Sequence, residues 1–364
     1  MKKWAAWVCV TGLALSMLSG CGKEETVDAP VYPEYPTYTA KDYVTLGDYK
    51  NLTVQVTSIS ESPTEEEITA RLQEAMSQEA VDEDATVQMG DTVTIDLEGT
   101  VDGKTFEGGT SENYSVTIGS GKLIDGFEDQ MIGMTAGQTK TLDVTFPDTY
   151  KREDLAGKTA RFTITVKTIS RYPEVTDENA SELSGGSYKT VAEWREAVSE
   201  ELVAEKQNQN KAAVRQAITN QLDTICEVKE VPEELFDWYV DSMMVNYEYQ
   251  ANSADQTLEE YLSEVSDGEW SSEEDVRAYL EPNKESTLAN ELILHAVAED
   301  QGMTITEEEY KEQLEEMADR YGFSSGEMFE RSYPKSNIES AMLVEEAMSY
   351  LAGQVTIEET TAEE

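Results

Sequence analysis

The spacing of apolar side chains turns helical after Pro173 and stays so, and that change limits the main body of the chain to a sheet-based domain followed by a helical one. Ahead of it, Val93, Ile95 and Leu97 alternate with Thr94 and Asp96, and alternation returns at Tyr114-Val116-Ile118, Leu142-Val144-Phe146 and Phe162-Ile164-Val166. A period of two places one set of side chains on one face of a half-buried strand. Asp102-Gly103 carries the signature of a tight hairpin turn. Ile124, Phe127 and Met131 stand at i, i+3 and i+7, which predicts a short helix. Several antiparallel strands and one short helix make a compact α+β domain whose sheet wraps the helix.

Beyond Pro173 the period is helical: Trp194, Val198 and Leu202 form one stripe, and Val214, Ile218 and Leu222 another. Val231-Pro232-Glu233-Glu234 puts proline at a first helical position with acids beside it. Thr306 and Glu309 form a capping box ahead of Tyr310, Leu314, Met317 and Tyr321, and Gly322 supplies the stop. The fold class is therefore α+β followed by an all-α domain.

The two ends differ from this body. Lys2 and Lys3 precede an apolar run from Trp4 to Met17, too short to span a bilayer, which takes about 20 residues. Leu18-Ser19-Gly20-Cys21 then resembles the lipobox of bacterial lipoproteins, which implies cleavage after Gly20 and lipid on Cys21. Residues 1–20 are thus expected to be a signal peptide. Residues 21–43, with Pro30, Pro33 and Pro36 spaced by three, are expected to be a stiff tether. Residues 44–85 hold a linker strand and an arm helix opened by Ser62-Pro63-Thr64-Glu65. The sheet domain is placed at 86–172, the helical domain at 173–355 and a disordered acidic tail at 356–364.

Cysteine usage fits export without a disulfide framework. Cys9 leaves with the signal and Cys21 carries lipid, so Cys226 alone remains. Cys226 reads as a small packed residue. The sole histidine, His295, sits in an apolar run with no Cys or His neighbours and reads as structural. With 27 basic against 75 acidic side chains the net charge is −48. That excludes nucleic-acid binding by clustered cations and adhesion to anionic lipid by charge alone.

A run of motifs carries a family resemblance. Gly90-Asp91-Thr92-Val93, Val101-Asp102-Gly103-Lys104-Thr105-Phe106-Glu107-Gly108-Gly109, Ile118-Gly119-Ser120-Gly121, Ile124-Asp125-Gly126-Phe127-Glu128-Asp129-Gln130-Met131 and Phe146-Pro147-Asp148-Thr149-Tyr150 together resemble the FKBP-type peptidyl-prolyl isomerase domain of trigger factors. Val231-Pro232-Glu233-Glu234-Leu235 and Gly302-Met303-Thr304-Ile305-Thr306-Glu307-Glu308-Glu309 resemble the chaperone domain of the same family. The family's basic Gly-Phe-Arg ribosome-docking loop has no counterpart in this sequence, so no ribosome docking is expected. The resemblance implies a lipid-anchored isomerase and chaperone on the extracytoplasmic face of the cell membrane, acting on unfolded or nascent exported polypeptides with X–Pro bonds. The alternative is a holdase whose isomerase domain only grips peptides.

Rotation about an X–Pro bond faces a barrier of about 18–20 kcal/mol because the planar amide loses resonance. No proton transfer, covalent intermediate, metal or cofactor is needed, only an apolar pocket that favours the twisted amide. By the resemblance, Phe106, Tyr114, Phe127 and Phe162 are the aromatic walls, with Phe127 as the floor. Leu123 and Ile124 offer apolar contact and a backbone N–H, Tyr150 a hydroxyl, and Glu107 the acidic position. Leu97 stands where small FKBPs carry Tyr. Periodicity alone assigns the same four aromatics to a packed core. In the helical part, Trp238, Tyr239, Met243, Met244, Tyr247 and Tyr249 are expected to form part of a client surface, since Met adapts to varied apolar partners.

Overall fold

The computed structural model describes residues 30–82 and 84–361. The expected signal peptide and Cys21 lie outside the described residues. In chain order the elements are helix α1 (Ala40–Tyr43), strands β1 (Val44–Thr45) and β2 (Thr53–Ser58), helix α2 (Glu65–Glu74), strands β3 (Glu79–Ala80), β4 (Thr92–Val101), β5 (Lys104–Thr117), β6 (Thr139–Thr145) and β7 (Thr159–Arg171), helices α3 (Ala180–Leu183) and α4 (Val191–Ile225), strand β8 (Glu227–Val228), helices α5 (Glu233–Ser253), α6 (Leu258–Val265), α7 (Glu273–Leu280), α8 (Lys284–Gln301), α9 (Glu307–Arg320), α10 (Gly326–Ser332) and α11 (Lys335–Gln354), and strand β9 (Thr356–Thr361). The described residues fall into two units, 60–207 and 30–59 with 208–361.

The first unit holds a five-stranded antiparallel sheet, ordered β3-β7-β4-β5 with β6 also on β7. The alternation seen in the sequence becomes its buried face: Val93, Ile95, Val116, Ile118, Leu142, Val144, Phe162, Ile164 and Val166 share one core. The β4–β5 hairpin turns at Asp102 and Gly103, φ 53° and 72°, the left-handed pair that a two-residue turn matched to strand twist requires. The expected short helix is shorter than the spacing implied. Residues 125–128 are turns, and only Asp129–Met131 closes into a 3-10 turn. Gly126 at φ 78° breaks the right-handed path an α-helix needs. Phe127 and Met131 still reach the core, so the apolar spacing was right about burial and wrong about the element.

Beside the sheet, Thr64 and Glu67 make the capping box of α2, whose Ile68 and Leu72 pack with Trp194, Val198 and Leu202 of α4 in a separate small core. The expected boundary at 173 is therefore displaced: residues 60–85 and 173–207 go with the sheet, and 44–59 with the helices.

The helical unit is built around α5, α8 and α11. Leu235, Phe236, Val240, Leu292, Ile293, Val297, Val344, Ala347 and Leu351 are all within its largest core. A second cluster joins Tyr310, Leu314 and Met317 of α9, Phe329 of α10, and Ile338 and Met342 of α11. Pro232 is the cap of α5 rather than its first residue.

Two compositional readings are corrected here. Residues 30–43, expected to be a free tether, pack on this unit: Tyr32 and Ala40 are buried, and α1 ends the segment. Residues 356–361, expected to be disordered, pair as β9 in parallel register with β2, Thr53 to Thr356 through Ser58 to Thr361. Proline and acid content measure local preference, whereas these segments are held by partners some 300 residues distant in sequence.

Candidate active site

The geometry of β4, β5 and β7 assembles three of the expected aromatics. Phe162 lies opposite Gly99 in the β4–β7 register. A Cβ at Gly99 would stand 2.4 Å from Phe162 Cε1, so only glycine leaves room for the ring. Phe127 meets Phe162 edge-on at 5.1 Å, and Phe106 meets it at 6.0 Å and Phe146 at 5.9 Å. Gly109 plays the Gly99 part for Phe106, its missing Cβ lying 2.8 Å from Phe106 Cζ. Edge-to-face pairs of this kind contribute about 0.5–1.5 kcal/mol each beyond burial. Phe127 and Phe162 are buried at 3% and 6% exposure while Phe106 is half-buried, so the first two form a floor and the third a rim. The core reading holds for Phe127 and Phe162, with Phe106 packed against them.

Tyr150 leans on Phe146 at 4.6 Å, and its hydroxyl has no hydrogen-bond partner among the described residues. Beside it a depression of about 290 Å³ is lined by Pro147, Thr149, Tyr150, Lys151 and Arg152. Arg152 fastens this loop to β5: Nη1 donates to the Glu107 carbonyl at 2.6 Å, while Nη2 pairs with Asp154 at 2.8 Å. The Glu107 side chain is exposed, and its charge lies close enough to Arg152 to support the guanidinium's proton, after the larger contribution of the Asp154 hydrogen bond. Leu97 is a partly buried member of the core.

Tyr114 does not join the stack. It stands opposite Ile95 next to an irregularity in the β4–β5 register, is 36% exposed, and makes no ring contact among the described residues. Strand alternation alone could not foresee that displacement.

The loop before Phe127 is organised by an acid of the Ile124–Met131 motif whose role the sequence pattern does not reveal. Glu128, 7% exposed, accepts from the Gly119 N–H at 2.8 Å, Ser120 Oγ at 3.1 Å, the Gly121 N–H at 3.2 Å and the Leu123 N–H at 3.3 Å. Burial pushes its carboxyl up, but these donors outweigh burial and hold it below the usual carboxylate range. The Leu123 N–H expected to meet a substrate is thus already used. The Ile124 N–H has no partner among the described residues, while the Ile124 carbonyl accepts from Phe127 N at 3.1 Å. One free donor beside an aromatic floor is the arrangement that can hold a prolyl carbonyl next to an apolar seat.

In the helical unit five of the six expected client residues, all but Tyr249, lie in the core or pack against it. Trp238, Tyr239 and Met244 are buried, with Met243 and Tyr247 packed against the same core. Trp238 is covered by the segment read as a tether: Tyr35 meets it edge-on at 4.8 Å, and Trp238 Nε1 donates to the Pro33 carbonyl at 3.2 Å. The two misreadings have one cause.

The aromatic stack belongs to an antiparallel sheet, and the rest of the chain is mainly helical. Residues 83–167 match the family model for FKBP-type peptidyl-prolyl cis-trans isomerase, and residues 190–353 match that for the bacterial trigger factor protein C-terminus. The trigger factor of Anoxybacillus flavithermus is 35% identical over 318 residues, covering 86% of this chain and 72% of that protein. That of Bacillus subtilis is 33% identical over 314 residues, covering 85% of this chain and 70% of that protein. The chain belongs to the trigger factor family. The trigger factor of Pelotomaculum thermopropionicum is 37% identical over 290 residues, covering 78% of this chain and 64% of that protein. A solved trigger factor chaperone structure shares 19% identity at a TM-score of 0.36, covering 85% of this chain and 72% of that one.

Proposed function

We propose that this protein is a lipid-anchored, extracytoplasmic prolyl isomerase and chaperone for exported polypeptides. The observation that carries the isomerase reading is the unpartnered Ile124 N–H beside the Phe106–Phe162–Phe127 stack. The prolyl ring seats on the stack and the Ile124 N–H holds a carbonyl in place. The Tyr150 hydroxyl supplies a second donor at the mouth. The apolar surroundings favour the twisted amide, whose charge separation is smaller than that of the planar form. Support for the anchor comes from Leu18-Ser19-Gly20-Cys21 behind a basic and apolar leader. A net charge of −48 gives no electrostatic drive toward ribosomal RNA.

The test is cis/trans isomerisation of a short X–Pro peptide by the chain lacking residues 1–21, with Phe127→Ala as control. Catalysis that the substitution abolishes supports the reading; a folded wild-type chain without catalysis overturns it. The second reading, a peptide clamp, is favoured by the depression lying over Pro147–Arg152 rather than over Phe127. It predicts suppression of client aggregation that survives Phe127→Ala. Transfer of a labelled acyl chain in cells, lost in Cys21→Ser, tests the anchor.

A further inference from the structure

Residues 30–38 read Pro-Val-Tyr, Pro-Glu-Tyr, Pro-Thr-Tyr, three triplets in register. Proline fixes φ near −65° and biases the residue before it to extended conformations, so such a run favours the polyproline-II helix, with three residues per turn. Residues three apart then share a face. Burial follows that period: Val31, Glu34 and Thr37 are exposed, Tyr32 is buried, and Tyr35 and Tyr38 are half-buried.

Each tyrosine is read by a different feature of the helical unit. Tyr32 stacks on Tyr333 at 4.5 Å with planes 9° apart, and its N–H donates to the Ser332 carbonyl at 2.9 Å. Tyr35 lies edge-on to Trp238 and stacks on His295 at 5.4 Å, while its hydroxyl donates to Glu291 Oε1 at 2.8 Å. Tyr38 bonds the Tyr35 hydroxyl at 2.6 Å and meets His295 edge-on at 6.2 Å. Between the rings, Trp238 Nε1 holds the Pro33 carbonyl, and the Tyr35 N–H is shared by Ser336 Oγ and Asn337 Oδ1, both at 3.0 Å. Glu291 is fully buried and also faces His295 Nε2 at 3.2 Å and Ser340 Oγ at 3.4 Å, yet its Oε2 has no partner among the described residues. A buried carboxylate left partly unsatisfied is costly, and a tyrosine hydroxyl delivered by the segment lowers that cost.

We propose that this face of α5, α8 and α11 is a recognition site for extended polypeptide segments carrying Pro-x-Tyr triplets, and that the chain's own residues 30–38 are its resident ligand, displaceable by such a segment from another polypeptide. Aromatic side chains and an indole N–H aligned along a proline-rich segment are the chemistry by which polyproline-II ligands are held. Covalent attachment gives the resident segment a local concentration on the order of millimolar, so an outside segment competes at a disadvantage. The inference rests on the helical unit alone and stands apart from the isomerase reading.

The probe is a synthetic peptide of the 30–40 sequence, titrated into the full chain and into the variant Tyr32→Ser/Tyr35→Ser/Tyr38→Ser. The variant is expected to bind it at least tenfold more tightly than wild type, and to discriminate against a scrambled peptide of the same composition and against one with Phe for each Tyr. Equal binding of the scrambled peptide, or no binding by a folded variant, overturns the proposal. If the variant is unfolded alone, its thermal transition is followed with peptide added. Recovery with the periodic peptide only supports the site, and no recovery overturns it.

Discussion

Replacing Gly99 by alanine tests the aromatic stack most directly. The new Cβ would lie 2.4 Å, 2.8 Å and 3.0 Å from three atoms of the Phe162 ring. Carbon atoms pack at about 3.5–4.0 Å, so the closest overlap is about 1.1–1.6 Å. Phe162 cannot simply rotate away, because Phe127 and Phe106 stand against it at 5.1 Å and 6.0 Å and the ring is 6% exposed. Overpacking in a tight core costs about 1–3 kcal/mol, and a ring fixed on two sides belongs at the upper end, about 3 kcal/mol. For a unit of this size that lowers the calorimetric midpoint by roughly 6–12 °C. Peptide isomerisation should fall with it even well below the midpoint, since Phe162 must leave its place against Phe127. Gly109→Ala is the contrasting case. Its Cβ meets Phe106, a half-buried ring with space to swing outward. Stability should then drop by less than about 1 kcal/mol while activity drops further, because the rim has moved. Unchanged stability and activity in Gly99→Ala would refute the stack as the site's foundation.

Two further substitutions probe what supports the site. Arg171 donates to both oxygens of the buried Asp91, at 2.6 Å and 2.8 Å, so Arg171→Met leaves that side chain only the Gln88 N–H at 2.7 Å and should cost roughly 3 kcal/mol in denaturant titration of the sheet unit. A near-neutral result would mean that water already reaches Asp91. Glu128, held below its ordinary pKa of 4.5, contributes stability that is fully present above about pH 4.5 and lost as pH falls through its lower folded value. Glu128→Gln should flatten the acid limb of a stability–pH profile for this unit and reduce isomerisation at neutral pH. An acid limb identical to wild type would show that the Gly119–Leu123 loop does not depend on that charge.

The site was partly legible before the structure. Phe106, Phe127 and Phe162 were named by the family resemblance, and Phe162 meets the other two. Tyr114 was named by the same resemblance and stands apart, beside a register irregularity between Ile95 and Leu97 that is invisible to a pattern of alternation. The role of Glu128 was hidden for another reason. An acid in a turn reads as solvated until the fold closes four donors around it.

Local sequence pattern was enough for the strand faces, the Asp102-Gly103 turn, the helix opening at Thr64 and the capping box at Thr306. These depend on neighbours a few residues apart. Only the tertiary structure decided the fate of the ends and of the aromatic stripe on α5. Pro30–Tyr38 has the composition of a spacer, and a proline-rich run makes few hydrogen bonds with itself. Whether it stays free depends on whether a distant surface offers rings and acceptors at its three-residue period. Here Tyr333, Trp238, His295 and Glu291 do so, and the segment covers the stripe that would otherwise face water.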